Sequence, residues 1–301
     1  MPRVSLVKGD DRRTIARRSL DLIADDITRG LGSRRPVIKP NLVSSSIQLA
    51  SSHVDQMRGI LDFFSSIYRD KIIIAEAACH DTREAFKNFG YLRLLGEYNV
   101  ELVDLNTGPS ESYPVTGHQN AIISVKLSRL LLDKGNYVIS AAKLKTHDTV
   151  VVTLSIKNMA VGSIIGQDKK NVHQGVGQTN RIIAGLAGRV RIDLAVIDGF
   201  EGMEGDGPTC GDPVYPGLGI ASIDALAADR VACEVMGVNF HDVGYLHYCA
   251  SQGVGEADLN RIKVLGERLR DCIRPFKLHR SAKEQYAWKQ YEKQKCDKRN
   301  K

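Results

Sequence analysis

The chain has 301 residues, 43% of them hydrophobic, and a formal net charge of +7; that is enough apolar sequence for a sizeable core, in one large domain or two close lobes. No uncharged apolar run reaches the roughly 18 residues a membrane helix needs, and the opening MPRVSLVKGDDRR lacks an apolar signal core, so no membrane partner and a cytoplasmic location are expected. The six cysteines, Cys79, Cys210, Cys233, Cys249, Cys272 and Cys296, are scattered without a CxxC pair, which argues against a zinc ribbon or an iron–sulfur cluster and suits a reducing compartment.

Hydrophobic periodicity gives alternating strands and helices. Residues 4–7 read as a short strand. Residues 14–29 read as an amphipathic helix on Ile15, Leu20, Leu22, Ile23 and Ile27. A strand at 36–40 runs into Lys39-Pro40-Asn41, and a helix follows at 53–68. KIIIAE at 71–76 is an unbroken apolar run of the kind found in parallel strands covered on both faces. A helix at 81–89 has Asp81 or Thr82 as its N-cap. Strands follow at 100–104, 137–142, 150–154 and 194–198. Residues 202–219, rich in Gly and Pro, read as a long loop, and 223–236 as a helix with Asp224 at its cap. Strand-then-helix repetition predicts an α/β fold, Rossmann-like, with a mainly parallel sheet flanked by helices in one domain or in two lobes with a cleft between them.

The basic charge is concentrated at the end. Residues 261–301 carry 14 Lys/Arg against 5 Asp/Glu, leaving 28 against 30 in the other 260 residues. The chain is therefore divided into a domain at 1–275 and a basic C-terminal helix or tail at 276–301. Residues after about Pro275 are expected to contribute little to any site. A solvated tail is the plain reading, and a nucleic-acid or acidic-partner contact the sharper one, with no nucleic-acid motif in the body to support it.

In open α/β sheets, ligands sit outside the carboxyl ends of the strands. Polar residues collect at five such ends: Lys39 and Asn41; Glu76, Cys79 and His80; Asp104 and Asn106; Lys143, Lys145 and His147; and Asp198. Neutral imidazole passes protons or binds a borderline metal. A lysine desolvated at a strand end becomes a nucleophile, or, if charged, an anchor for phosphate or carboxylate. Lys39 and Lys145, with Asn41, are candidates for such an anion. After Asp198, glycines that include Gly205 and Gly207 permit close backbone approach to a ligand, in neither a GxGxxG nor a P-loop pattern. The plainer readings are a helix-capping His147, an exposed loop histidine at His173 and a flexible glycine loop.

IKPNLV at 38–43, AEA…DT…AF…FGY at 75–91, VDLN at 103–106, VISAAKLKTH at 138–147, VTLSIKNM at 152–159, VIDGFEGMEGDGP at 196–208, ASIDALAADRVA at 221–232 and VGEADLNRIKVLGE at 254–267 together resemble the DUF362 family of unknown function. Some members of that family carry a cysteine-rich ferredoxin-type module; this chain lacks those cysteines. The spacing His147–x9–Lys157–x15–His173, with His80 between a strand and a helix, bears a more distant resemblance to the nickel-dependent lactate racemase family. That resemblance implies His80 and His147 as an acid–base pair, Lys157 as the anchor of a nucleotide-derived cofactor, and His173 as a ligand of nickel or another divalent transition metal. Where that family has GGxK this chain has LSIK, and Asp81 rather than Arg follows His80.

Three classes of function follow. The first is an enzyme acting on a small carboxylate- or phosphate-bearing substrate with a metal or nucleotide-derived cofactor near the His–Lys–His constellation. The second is a non-catalytic protein that carries or matures such a cofactor. The third is a nucleic-acid or acidic-partner binder using the basic tail.

Overall fold

The structure is a computed structural model that describes residues 1–290. Its strands are β1 (Arg3–Lys8), β2 (Arg35–Lys39), β3 (Ile72–Glu76), β4 (Val100–Asp104), β5 (Ser110–Thr116), β6 (Ile122–Ser128), β7 (Asn136–His147), β8 (Val151–Thr153), β9 (Leu194–Glu204), β10 (Asp212–Val214), β11 (Leu218–Ser222) and β12 (Lys263–Gly266). One sheet runs β12-β1-β11-β9-β7-β2-β3-β4, with β10 added to β9 and β8 to β7; β5 and β6 form a separate hairpin. The centre, β4-β3-β2-β7-β9, is parallel. β11 runs antiparallel to both β9 and β1. The α/β fold read from the sequence is the fold of the chain.

Both faces of the sheet are covered, which is why its strands lack polar alternation. Val37, Ile73, Val138 and Ile197 enter one apolar cluster, together with residues of the helices Ser155–Gly162, Val176–Arg189 and Ala225–Val235. Their neighbours Ile38, Ile74, Ile139 and Val196 enter the other, together with residues of Ala24–Leu31 and Val54–Ile67. The two apolar clusters are the two faces of one sheet.

Three expected elements differ from those observed. The helix expected at 14–29 is two, Arg12–Asp21 and Ala24–Leu31. The break leaves Leu22 exposed while Ile23, Ile27 and Leu31 remain buried in the core. The strand expected to stop at Ala142 continues to His147, buried throughout, so Lys143 and Lys145 lie inside β7 rather than beyond it. The extension is held by β8 on one side, where Lys145 faces Thr153, and by β9 on the other, where Lys145 faces Met203 across a register shift. The stretch expected as a loop at 202–219 contains the end of β9, β10 and the start of β11. Glycine content marked it as loop, but Gly202 and Gly219 are strand residues approached closely by Phe276 and Ile15.

The boundary at 275 does not mark the end of the packing. Phe276, Gln285 and Trp288 are buried, Lys277 donates its N–H to the Glu204 carboxylate and accepts the Gly205 N–H on its carbonyl, and Arg280 pairs with Asp206. Residues 276–290 thus belong to the folded body; the remainder of the basic tail, 291–301, falls outside the described residues.

Candidate functional site

At the carboxyl ends of β2 and β3 a cavity of about 70 Å³ opens against the helix Ser155–Gly162. Its floor is an ion pair. Lys39, 1% exposed, donates from Nζ to Glu76 Oε1 at 2.9 Å, to the Pro40 carbonyl at 2.9 Å and to Asn158 Oδ1 at 3.2 Å. Glu76 is saturated by backbone: Ala77 N donates to Oε1 at 2.7 Å and Leu42 N to Oε2 at 2.9 Å. A buried carboxylate needs such partners to stay charged. Asn158 crosslinks the strands, taking Asn41 Nδ2 on its oxygen and donating to Lys39 O and Ser140 Oγ. A Cβ at Gly162 would overlap the Lys39 ammonium, so a larger residue here would have to displace the ion pair.

The remaining polar wall is Asn41, Cys79, Thr153, Lys157 and Lys169, beside Leu42, Val43, Ala77 and Val161. Lys169 donates to the Ala77 carbonyl, and burial lowers its pKa. Lys145 lies nearby, 1% exposed, donating to Ala50 O at 2.7 Å. Its pKa is pushed well down by desolvation and by the charges of Lys157 and Lys143. Lys157 makes no hydrogen bond or ion pair among the described residues. Lys157 is half-buried and lines the cavity, and burial brings its pKa down to about 8. Two polar atoms of the wall, Thr153 Oγ1 and Asn41 Oδ1, are buried without a partner; Thr153 is 2% exposed.

Desolvation and the Lys157 charge hold His147 at about 3 and also lower His173, so both rings are neutral near pH 7. His147 Nδ1 accepts the Thr149 N–H at 3.0 Å, which leaves the proton of the neutral ring on Nε2. Asp148 Oδ1, 3.0 Å from the same nitrogen, becomes an ion-pair partner only if the ring is protonated. His173 is on the surface. His80 is also exposed and has no hydrogen bond or ion pair among the described residues; its neighbour Cys79 lines the cavity instead. Among the described residues no group of three or more His, Cys, Asp or Glu side chains is placed to hold a metal, so His173 does not by itself make a metal site.

Asp198 and Lys143 lie elsewhere. Arg12 Nε approaches Asp198 Oδ2 at 3.1 Å, and Lys143 Nζ lies 3.7 Å from Glu201. His53, held neutral by desolvation and by Arg12, completes this second charged group. Gly205 and Gly207 approach protein: Gly205 donates its N–H to Lys277 O and accepts from Thr146 Oγ1, and a Cβ at Gly207 would overlap the Thr146 carbonyl.

Two residues that the sequence did not single out shape the site. Asp229, 0% exposed, accepts the N–H groups of Ser155 and Ile156 at 2.8 and 2.9 Å. It thereby caps the helix that carries Lys157 and Asn158, because Leu154 at the N-cap offers no side-chain acceptor. Gln285, 1% exposed, accepts the Val151 N–H and donates to the His147 carbonyl at 3.0 Å, fastening the β7–β8 turn. Val151 has φ of +69°, a strained setting for a β-branched residue.

Desolvation raises Asp229 to about 7, against the two N–H donors that favour its charge. A carboxyl whose folded pKa exceeds its unfolded value stabilises below the unfolded pKa and loses that contribution as pH rises through the folded one. Stability should therefore fall between about pH 4 and pH 7 by something on the order of a few kcal/mol. Asp229→Asn should flatten that slope; chemical denaturation across this range reads it, and an unchanged slope in the variant removes the assignment.

The family model described as "Domain of unknown function (DUF362)" matches residues 37–234, a span that contains Lys39, Glu76, Lys157 and Asp229. The chain belongs to the DUF362 family. This DUF362 chain is also similar to "Thylakoid-associated protein sll1697" of Synechocystis sp., 30% identical over 158 residues, which is 51% of this chain and 47% of that protein. It thus spans about half the length of that curated relative. A crystal structure of a protein from Thermotoga maritima superposes with a TM-score of 0.50 at 13% identity, covering 76% of this chain and 60% of that one; at that identity the likeness concerns the fold alone. No helix among the described residues is long and apolar enough to cross a membrane.

Proposed function

We propose that the cavity binds a small carboxylate- or phosphate-bearing molecule and that the chain acts on it through the Lys157 amine. The observation that carries this reading is the contrast between lysines. Lys39, Lys145 and Lys169 each have an acceptor in the protein, whereas Lys157 faces the cavity with none among the described residues. Thr153 Oγ1 adds an unpartnered hydroxyl donor to the same wall. A charge-assisted hydrogen bond contributes about 1.5–3 kcal/mol, so Lys157→Met should weaken phosphate or acetate binding by roughly tenfold or more. Calorimetric titration of both proteins tests it, and equal affinities would move the anion site away from Lys157.

The coupling of His147 and His173 to Lys157 favours one companion reading. The same amine would anchor a nucleotide-derived cofactor, as the distant racemase resemblance implies. Intact mass and elemental analysis of protein from its native host distinguish a modified Lys157 from a free one. Turnover of 2-hydroxy acids separates an enzyme from a cofactor carrier.

A further inference from the structure

We propose that the substrate is a short 2-oxo acid and that Lys157 condenses with its carbonyl carbon to form an imine. This rests on the cavity being an anion site, and adds the reacting group.

Each requirement of the reaction has a counterpart in the cavity. The nucleophile must be an amine free of hydrogen bonds, and Lys157 makes none among the described residues. It must also be partly neutral. With burial holding its pKa near 8, roughly a tenth is neutral at pH 7. The carboxylate of the substrate needs uncompensated positive charge. The Lys39 charge is matched by Glu76, but Lys169, which lines the cavity, is bound only to the Ala77 carbonyl among the described residues. The carbonyl oxygen needs a donor as it gains charge. The Thr153 hydroxyl is buried in the wall without a partner, and a donor waiting in a water-poor site is the arrangement that stabilises such an oxygen. The cavity, about 70 Å³, suits a molecule of a handful of heavy atoms at its inner end.

The step balances without an oxidant or reductant. The lone pair of neutral Lys157 forms the N–C bond, and the carbonyl π pair moves to oxygen, which takes a proton. The nitrogen of this carbinolamine loses a proton. The hydroxyl then takes a further proton and leaves as water while the nitrogen lone pair forms C=N. The sum is amine, carbonyl and one proton giving a protonated imine and water.

The test is reductive trapping. The full chain is incubated with glyoxylate or pyruvate and cyanoborohydride, then digested and mapped by mass. The expected result is an adduct on the peptide containing Lys157, heavier by the oxo acid less one oxygen atom. It should form at least tenfold faster than on the exposed Lys71 or Lys134. Lys157→Arg, which keeps the cation but not the nucleophile, should lose the adduct while still binding phosphate, and Thr153→Val should slow trapping several-fold. If phosphate binds and competes with the oxo acid but Lys157 is not labelled, the imine is overturned and the anion site stands. If neither anion nor oxo acid binds, both readings fail. Equal labelling of all lysines also overturns the proposal.

Discussion

Glu76→Ala should destabilise the protein by about 3–5 kcal/mol, because it strands a buried ammonium. The side chains of Lys39 and Glu76 are 1% and 3% exposed and 2.9 Å apart. With Glu76 gone, Lys39 retains only the Pro40 carbonyl and Asn158 as acceptors, and the N–H groups of Leu42 and Ala77 lose theirs. A domain of ordinary stability has about 5–15 kcal/mol in total, so the loss is a large share. The double variant Lys39→Met/Glu76→Leu should recover much of it, since apolar replacement of a whole buried pair is often neutral or better. That variant should fold yet bind phosphate poorly, having lost the polar floor of the cavity. Urea unfolding of the two singles and the double gives the coupling energy. A Glu76→Ala protein within about 1 kcal/mol of the parent, the size of a surface pair, would show that the pair does not hold the strand ends together.

That pair was partly legible. KPN after β2 and Glu76 after KIIIAE were both marked as polar strand ends, and parallel neighbours bring such ends together. Local signals also gave the helix Val54–Ile67 and the caps Asp81 and Asp224, each of which accepts an N–H two or three residues onward. What failed was long-range. KLKTH reads as the polar end of a strand that stops at Ala142, yet the strand runs on to His147 because β9 and β8 cover its backbone and Ala50 O receives Lys145. Asp229 lies 74 residues from the N–H it caps, and Gln285 lies 134 residues from Val151. No window of sequence contains either pair. The spacing of His147, Lys157 and His173 drew attention to Lys157, whose place in the wall comes from the helix Ser155–Gly162 packing over the ends of β2 and β3. The same strand-end reasoning put Asp198 in the group, but its side chain meets Arg12.

Truncation after Pro275 should leave a protein that is largely unfolded or unfolds at a much lower denaturant concentration, although composition alone marks this region as a solvated tail. Phe276 and Trp288 are buried, and replacing either kind of side chain by Ala typically costs about 3–5 kcal/mol; losing both approaches the whole stability of a domain. Trp288 also donates to the Asp242 carbonyl at 3.0 Å and packs on His247 and Tyr248. A gentler variant separates stability from function. Gln285→Ala leaves the Val151 N–H buried without its acceptor, a cost of about 1–3 kcal/mol, at a residue whose positive φ already stores strain. The β7–β8 turn holds Thr153 and His147 in place, so this variant should remain folded while phosphate affinity falls several-fold. Gln285→Glu, which keeps the acceptor but loses the donor to the His147 carbonyl, should fall between the parent and Gln285→Ala in both readings. If residues 1–275 alone unfold at the same urea concentration and bind phosphate as tightly as the full chain, the C-terminal segment is an ornament on the surface and the site is complete without it.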